Sequence, residues 1–178
     1  MLLSALTLIS CTGAGQPAPS PTIPALNPAR LSGALHFADG LPLATPDSFK
    51  QLLAGMQGTP VVVNVWASWC APCKAEMPFL NQVATRYSSQ IQFLGVDIGD
   101  TLSSARGFIS QHHIRYPSVF DPAKEIKASL GFEGQPDTVI YTSSGAVLAS
   151  CAGPIIQSAF LTDIQQLTGS GSTSGTCA

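Results

Sequence analysis

Val61-Val62-Val63-Asn64-Val65-Trp66-Ala67-Ser68-Trp69-Cys70-Ala71-Pro72-Cys73-Lys74-Ala75-Glu76-Met77-Pro78 is the stretch that decides the fold. Its first part is an unbroken β-branched apolar run, the pattern of a strand buried on both faces. Its second part opens a segment of helical period. Between them, two cysteines at C-x-x-C spacing fall on the first turn of a helix that follows a strand. A helix N-terminus presents unpaired backbone N–H groups and the positive end of the dipole, and both favour a thiolate at Cys70. Such a thiolate, at an exposed position, is the nucleophile of thiol–disulfide exchange. Cys73, one turn deeper, is placed to resolve the mixed disulfide.

A C-x-x-C is also half of many zinc sites, but zinc takes about four ligands. The remaining candidates are Cys151, Cys177, His36, His112 and His113, and none forms a second C-x-x-C or H-x-x-x-H pair. No metal or other cofactor is expected. Pro72 between the cysteines and Trp69 before them strengthen the redox reading over zinc or an inert disulfide.

The 178 residues suffice for one domain with a real core and room for a tether. Net charge is -2, and the eight Lys and Arg are scattered without a basic patch. Nucleic acid is therefore not an expected partner. Charged residues make up only 10%, which suits an exported protein.

Leu2 to Ile9 is a short apolar run ending in Leu8-Ile9-Ser10-Cys11. It is too short to span a bilayer and matches the core of a secretory signal. The Leu-x-small-Cys ending resembles a bacterial lipobox, in which the signal is cut before the Cys and that Cys carries lipid. No Lys or Arg precedes the run, so Met1 reads as a misassigned start; an ordinary signal peptide is the alternative. Residues 12–30 are rich in Pro, Gly and small residues, a flexible spacer that buries no core. The expected organisation is thus signal 1–11, spacer 12–30, globular domain 31–168 and a Gly/Ser-rich tail 169–178. In an exported setting Cys151 and Cys177 either pair or stand as two free thiols.

Within the domain, Ser32 to Phe37 and Leu41 to Leu43 read as short strands around the turn Asp39-Gly40. Thr45-Pro46-Asp47 caps a helix with Phe49, Leu52, Leu53 and Met56 on one face. After the Val61–Ala67 strand, a helix from Cys70 to about Tyr87 buries Phe79, Leu80, Val83 and Tyr87. Pro78 inside it should kink it. Ile91 to Ile98 is a second buried strand. Thr101 to about His112 is amphipathic, with Leu102, Ala105, Phe108 and Ile109 inward. Ser118 to Phe120 is extended, and Asp121-Pro122 starts a helix stopped by Gly131. Thr138 to Thr142 and Ala146 to Cys151 form a hairpin. The last helix runs from Pro154 to about Leu167, with Ile156, Phe160, Ile164 and Leu167 on one face. The order predicts an α/β fold, a mixed sheet flanked by helices, with chemistry at the C-terminal ends of its parallel strands.

The W-C-x-P-C-K-x-E-M-P run, the segment Gly134-Gln135-Pro136-Asp137-Thr138 and this order of elements resemble the thioredoxin superfamily. More closely, they are similar to the TlpA/ResA-like membrane-tethered thiol-disulfide oxidoreductases of bacteria. The resemblance covers about Leu31 to Leu167. It implies a thioredoxin-like fold with an N-terminal hairpin and a central insertion of about Thr101 to Leu130. It implies Cys70 as attacking thiolate, Cys73 as buried resolving thiol and Pro72 as tuner of the pair. Trp69 would cover the site edge or serve as a packing aromatic. Pro136 would be cis, leaving the Gln135 backbone free to pair with an incoming peptide.

Glu76 lies three residues after Cys73, on a neighbouring position of one helix face. Partly buried, it would have a raised pKa and exchange protons with the cysteines; otherwise it is a solvent-facing helix residue. Cytosolic thioredoxins carry a buried Asp where Asn64 stands, and Asn64 cannot take a proton. Either Glu76 serves instead or the proton goes to water, with Asn64 hydrogen-bonded inside the sheet.

The resemblance implies an extracytoplasmic, lipid-anchored protein at the bacterial cell membrane. It would reduce disulfides of exported proteins such as apocytochrome c during cytochrome c maturation. A membrane electron donor would re-reduce it. Two alternatives stand beside this: an oxidant or isomerase in disulfide formation, and a non-enzymatic copper-binding chaperone that holds the metal by the two sulfurs.

Overall fold

In the computed structural model of the chain, residues 40–169 are described. The strand expected at Ser32–Phe37, the spacer, Cys11, His36 and Cys177 lie outside them. The apolar run that follows the first helix becomes β1 (Val61–Trp66), every residue of it buried. Ahead of it stands α1 (Pro46–Gly55), opened by a capping box: Ser48 N–H donates to Thr45 Oγ1 and Thr45 N–H to Ser48 Oγ. After it come α2 (Ala71–Arg86), β2 (Gln92–Ile98), α3 (Leu102–Gln111) and β3 (Ser118–Asp121). A short α4 (Glu125–Ser129), the hairpin β4 (Asp137–Tyr141) and β5 (Val147–Ala152), and α5 (Gln157–Leu167) complete the order.

One five-stranded sheet has the order β3-β2-β1-β4-β5. β1 pairs parallel with β2 and antiparallel with β4, so the sheet is mixed. β1 at the centre is covered on both faces, which is why its sequence shows no polar alternation. The register sets Asn64 opposite Gly95 and Thr138, and Val65 opposite Asp137. On one face, Trp66 stacks on Phe108 of α3 at 4.9 Å between ring centroids. Phe79 of α2 meets Phe160 of α5 edge-on at 5.8 Å.

Several local readings need correction. Among the described residues, Leu41–Leu43 forms no strand of its own but an isolated parallel bridge from Leu43 to Phe120 at the β3 edge, with Phe120 N–H donating to Pro42 O at 2.8 Å; the Ser32–Phe37 half of the expected hairpin lies outside them. Leu102, the first residue of α3, is exposed, whereas Ala105 and Phe108, one and two turns further along the same face, are buried. α5 begins at Gln157, leaving Ile156 exposed in the preceding loop. Gly131 has φ +81, which suits the helix stop expected there.

Asp121 closes β3 rather than opening a helix, and its side chain does the capping. Its Oδ1 accepts Glu125 N–H at 2.9 Å; its Oδ2 accepts Ile126 and Lys127 N–H at 3.0 and 3.2 Å. Those donors have no partner inside so short a helix. Asp121→Ala is expected to cost about 1–3 kcal/mol, read as a lowered denaturation midpoint with unchanged m-value.

Candidate active site

The parallel strands β1 and β2 end at the same edge of the sheet, and the dithiol stands there. β1 stops at Trp66 and α2 starts at Ala71, so four residues turn the chain and leave Cys70 as the N-cap of α2. Its sulfur accepts the Cys73 backbone N–H at 3.2 Å. Cys70 and Cys73 are joined as a disulfide, with their Cα atoms 5.3 Å apart. Both cysteines are buried in this state: Cys70 keeps 4% of its surface and Cys73 none. The exposed position expected for Cys70 is thus a narrow opening, yet it is the only one of the pair that solvent reaches. Trp69 before it is 49% exposed, and Pro72 is exposed as well.

The turn is braced from the end of β2. Asp100 accepts the Ser68 backbone N–H at 2.6 Å and the Ser68 hydroxyl at 2.7 Å. On the other side, continuing the β1–β4 register past Val65–Asp137 sets Pro136 level with Trp66, the last residue of β1, and Gln135 one beyond it. The Gln135–Pro136 peptide bond is cis, and Pro136 O accepts Gly153 N–H at 2.9 Å.

Glu76 faces the interior, 6% exposed, on the same side of α2 as Cys73. Asn64 Nδ2 donates to its Oε1 at 3.1 Å and Ile155 N–H to its Oε2 at 3.4 Å. Burial pushes the Glu76 carboxyl up to about 7; the bonds from Asn64 and Ile155 pull it down, and the nearby Asp137 charge raises it. Asn64, fully buried, also donates to Thr138 Oγ1 at 3.3 Å and accepts the Tyr116 hydroxyl at 3.2 Å. Burial, and then the Glu76 charge, pushes the Tyr116 phenol upward.

Sequence reasoning missed Tyr116, Ile155, Ser68 with Asp100, and a second buried acid. That acid is Asp97, fully buried in β2, whose carboxyl burial and the neighbouring Asp100 carboxylate push up to about 9. An Asp inside an otherwise apolar strand was its sequence signal. Cys151 is buried and disulfide-bonded, which settles it as paired; its partner lies outside the described residues. His112 packs its ring on Phe108 at 4.3 Å between centroids, and His113 takes φ 50 beyond the end of α3. A cavity of about 360 Å³, lined by Phe49, Leu53, Met56, Val61, Leu130 and Tyr141, opens at the other end of β1 and shares no residue with the dithiol.

A mixed sheet with a disulfide at the N-terminus of the helix after its central strand, and a cis-proline at the start of the antiparallel strand beside it, defines a dithiol protein of thioredoxin-like fold. The chain belongs to the Redoxin family, whose pattern matches residues 14–161. It is similar to the thiol:disulfide interchange protein HelX of Rhodobacter capsulatus, 31% identical over 94% of each chain. It is similar also to the thiol:disulfide interchange protein DsbE homolog of Paracoccus denitrificans, 37% identical over 54% of this chain and 52% of that one. The chain therefore spans about half the length of that relative. Among solved structures, a thiol:disulfide interchange protein of the thioredoxin family from Chlorobium tepidum matches with TM-score 0.58 at 25% identity, over 73% of this chain and 99% of that one. Among the described residues, no helix is long and apolar enough to cross a membrane.

The Glu76 environment generates a stability prediction. Its carboxyl ordinarily titrates at 4.5 and in the fold at about 7, so the native state holds the proton more tightly than the unfolded chain. That contribution is complete below pH 4.5 and lost as pH rises to about 7. It amounts to about 3 kcal/mol. Glu76→Gln should flatten the fall in unfolding free energy across this window. An unchanged slope in denaturant titrations would show that Glu76 titrates alike in both states.

Proposed function

We propose that this chain is an extracytoplasmic thiol-disulfide oxidoreductase that reduces disulfides of exported proteins, such as apocytochrome c during cytochrome c maturation. The observation that carries the reading is the Cys70–Cys73 disulfide at the N-terminus of α2, with Glu76 buried on the same helix face. In the reduced form the Cys70 thiolate takes the place of the sulfur that now accepts the Cys73 N–H. It attacks a substrate disulfide; that S–S bond breaks, and one substrate sulfur leaves as a thiol. Cys73 then attacks Cys70, the mixed disulfide breaks, and the second substrate thiol departs. The substrate gains two electrons and the protein ends as its disulfide, which a membrane electron donor reopens.

Glu76, titrating near neutrality, takes the Cys73 proton and returns it. Trp69, Pro72, Gln135 and Pro136 form the rim against which substrate lies. Cys11 carries the lipid that holds the domain at the outer side of the bacterial cell membrane. The opposite direction, disulfide formation or isomerisation, uses the same groups and differs only in poise. A reduction potential near about −270 mV supports the reductant, and one near about −120 mV the oxidant. Stoichiometric copper binding without disulfide reductase activity would instead support the chaperone.

Cys70→Ser is expected to abolish exchange, whereas Cys73→Ser should accumulate mixed disulfides through Cys70. Partners trapped only by Cys70→Ser, on non-reducing gels, would reverse the two roles. Cys11→Ala is expected to release the protein from the membrane fraction. Intact mass spectrometry of the wild type without an acylated Cys11 counts against the anchor.

A further inference from the structure

Lys124 holds a backbone conformation that a lysine adopts rarely. At the N-cap of α4 it has φ 62 and ψ 24, the left-handed region. A non-glycine backbone in this region persists only where the surrounding structure holds it. Its stem lies against Gly99, just past β2, which itself has φ +60. A Cβ at Gly99 would stand 2.5 Å from Lys124 Cε. The glycine leaves this track open to the lysine stem, and its positive φ suits a residue without a Cβ.

The track ends at Trp69, whose ring centroid is 5.7 Å from Lys124 Nζ, within cation–π range. Trp69 is the exposed residue immediately before Cys70. From the same loop, Asp100 holds Ser68 through both carboxylate oxygens, at 2.6 and 2.7 Å. The segment Gly99–Asp100 thus fixes the backbone of the turn and seats the cation against its aromatic side chain. Of the acids near this turn, Asp97 is pushed up by burial to about 9 and Glu76 to about 7, both facing inward, and Asp100 directs both its oxygens at Ser68 rather than at the Trp69 face. Lys74, the residue after Cys73, is exposed and adds a second positive group.

The geometry points to Lys124 as a specificity-determining residue of the exchange reaction: seated on Trp69 beside Cys70, its ammonium selects substrates that carry an acidic side chain next to the reacting cysteine. This rests on the proposed exchange activity. The contact lies at a solvent-exposed rim, so its effect is modest, about three- to fivefold in rate. It acts largely on association and is screened by salt.

The test uses the full chain, reduced beforehand, and three short peptide disulfides that differ only in the residue beside the cysteine: Asp, Ser or Lys. Second-order rate constants are measured at low and high ionic strength for wild type, Lys124→Asn and Lys124→Glu. Asn tolerates the left-handed backbone, so the first variant removes the charge and keeps the turn. Wild type should reduce the Asp peptide about three- to fivefold faster than the Lys peptide at low salt, with the ratio shrinking at high salt. Lys124→Asn should lower the ratio toward the smaller preference that Lys74 sustains, with the Ser peptide as the uncharged reference in each variant, and Lys124→Glu should lower it further, to one or below. If wild type reduces the Ser peptide but shows no charge preference, or if the preference persists undiminished in both variants, the role of Lys124 is overturned. If no peptide is reduced at all, the exchange activity fails first and the specificity with it.

Discussion

Asn64 sits at the middle of the central strand with no exposed surface, and its amide must be satisfied inside the protein. An unpartnered amide there would cost several kcal/mol at the high end of estimates, so the surrounding elements have to converge on it. Three do: Thr138 from β4, Tyr116 from the segment before β3, and Glu76 from α2. The last of these ties the helix that carries Cys70 and Cys73 to the centre of the sheet. Ile155 N–H closes the other carboxylate oxygen from the loop between β5 and α5. One buried amide thereby sets where the dithiol helix lies and gives Glu76 the donors that keep its titration near neutral pH.

Buried acids are more numerous than this network needs. Besides Glu76, the acids Asp97, Asp137 and Asp163 are fully buried. Burial raises the pKa of each. At about 9, Asp97 stays protonated throughout the neutral range. Among the described residues the Asp163 oxygens meet no hydrogen-bond donor, and the neighbour of Asp97 is another carboxylate, Asp100, so in neither case does a donor offset the cost that burial places on the charged form. Glu76 differs in two ways that matter for proton traffic. Its pKa of about 7 lets both charge states be populated, and it shares a helix face with Cys73.

The strand–dithiol–helix core was legible because each of its parts is locally encoded. β1 is a continuous apolar run, and Cys70, read as the first residue of the helix, stands one position earlier as its N-cap. The hairpin and Gly131 were readable for the same reason. What escaped depends on contacts between distant segments. The Asn64–Tyr116 bond spans 52 residues and the Glu76–Ile155 bond 79, and no local pattern announces either. Asp121 was read as a helix start, but tertiary pairing with β2 drew it into β3 and left only its carboxylate to cap α4. Leu102 and Ile156 matched the apolar period of their helices yet remain exposed, because the period locates a face without saying how far the covering sheet extends.

The direction of electron flow follows from a balance that no single residue here controls. The Cys73 N–H at the start of α2 favours the Cys70 thiolate by about 0.3–1 kcal/mol, up to ~2 in partly buried geometry. An ionised Glu76 on the same helix opposes a second negative charge near Cys73. For this couple about 30 mV corresponds to about 1.4 kcal/mol, so the span between a thioredoxin-like and a DsbA-like potential is about 7 kcal/mol. Neither contribution covers that span alone, and they act with opposite sign. The poise is therefore a sum over the helix terminus, Pro72, Glu76 and the buried surroundings. The same constellation on one fold can serve a reductant or an oxidant, and the surface around Cys70 then decides which proteins reach it.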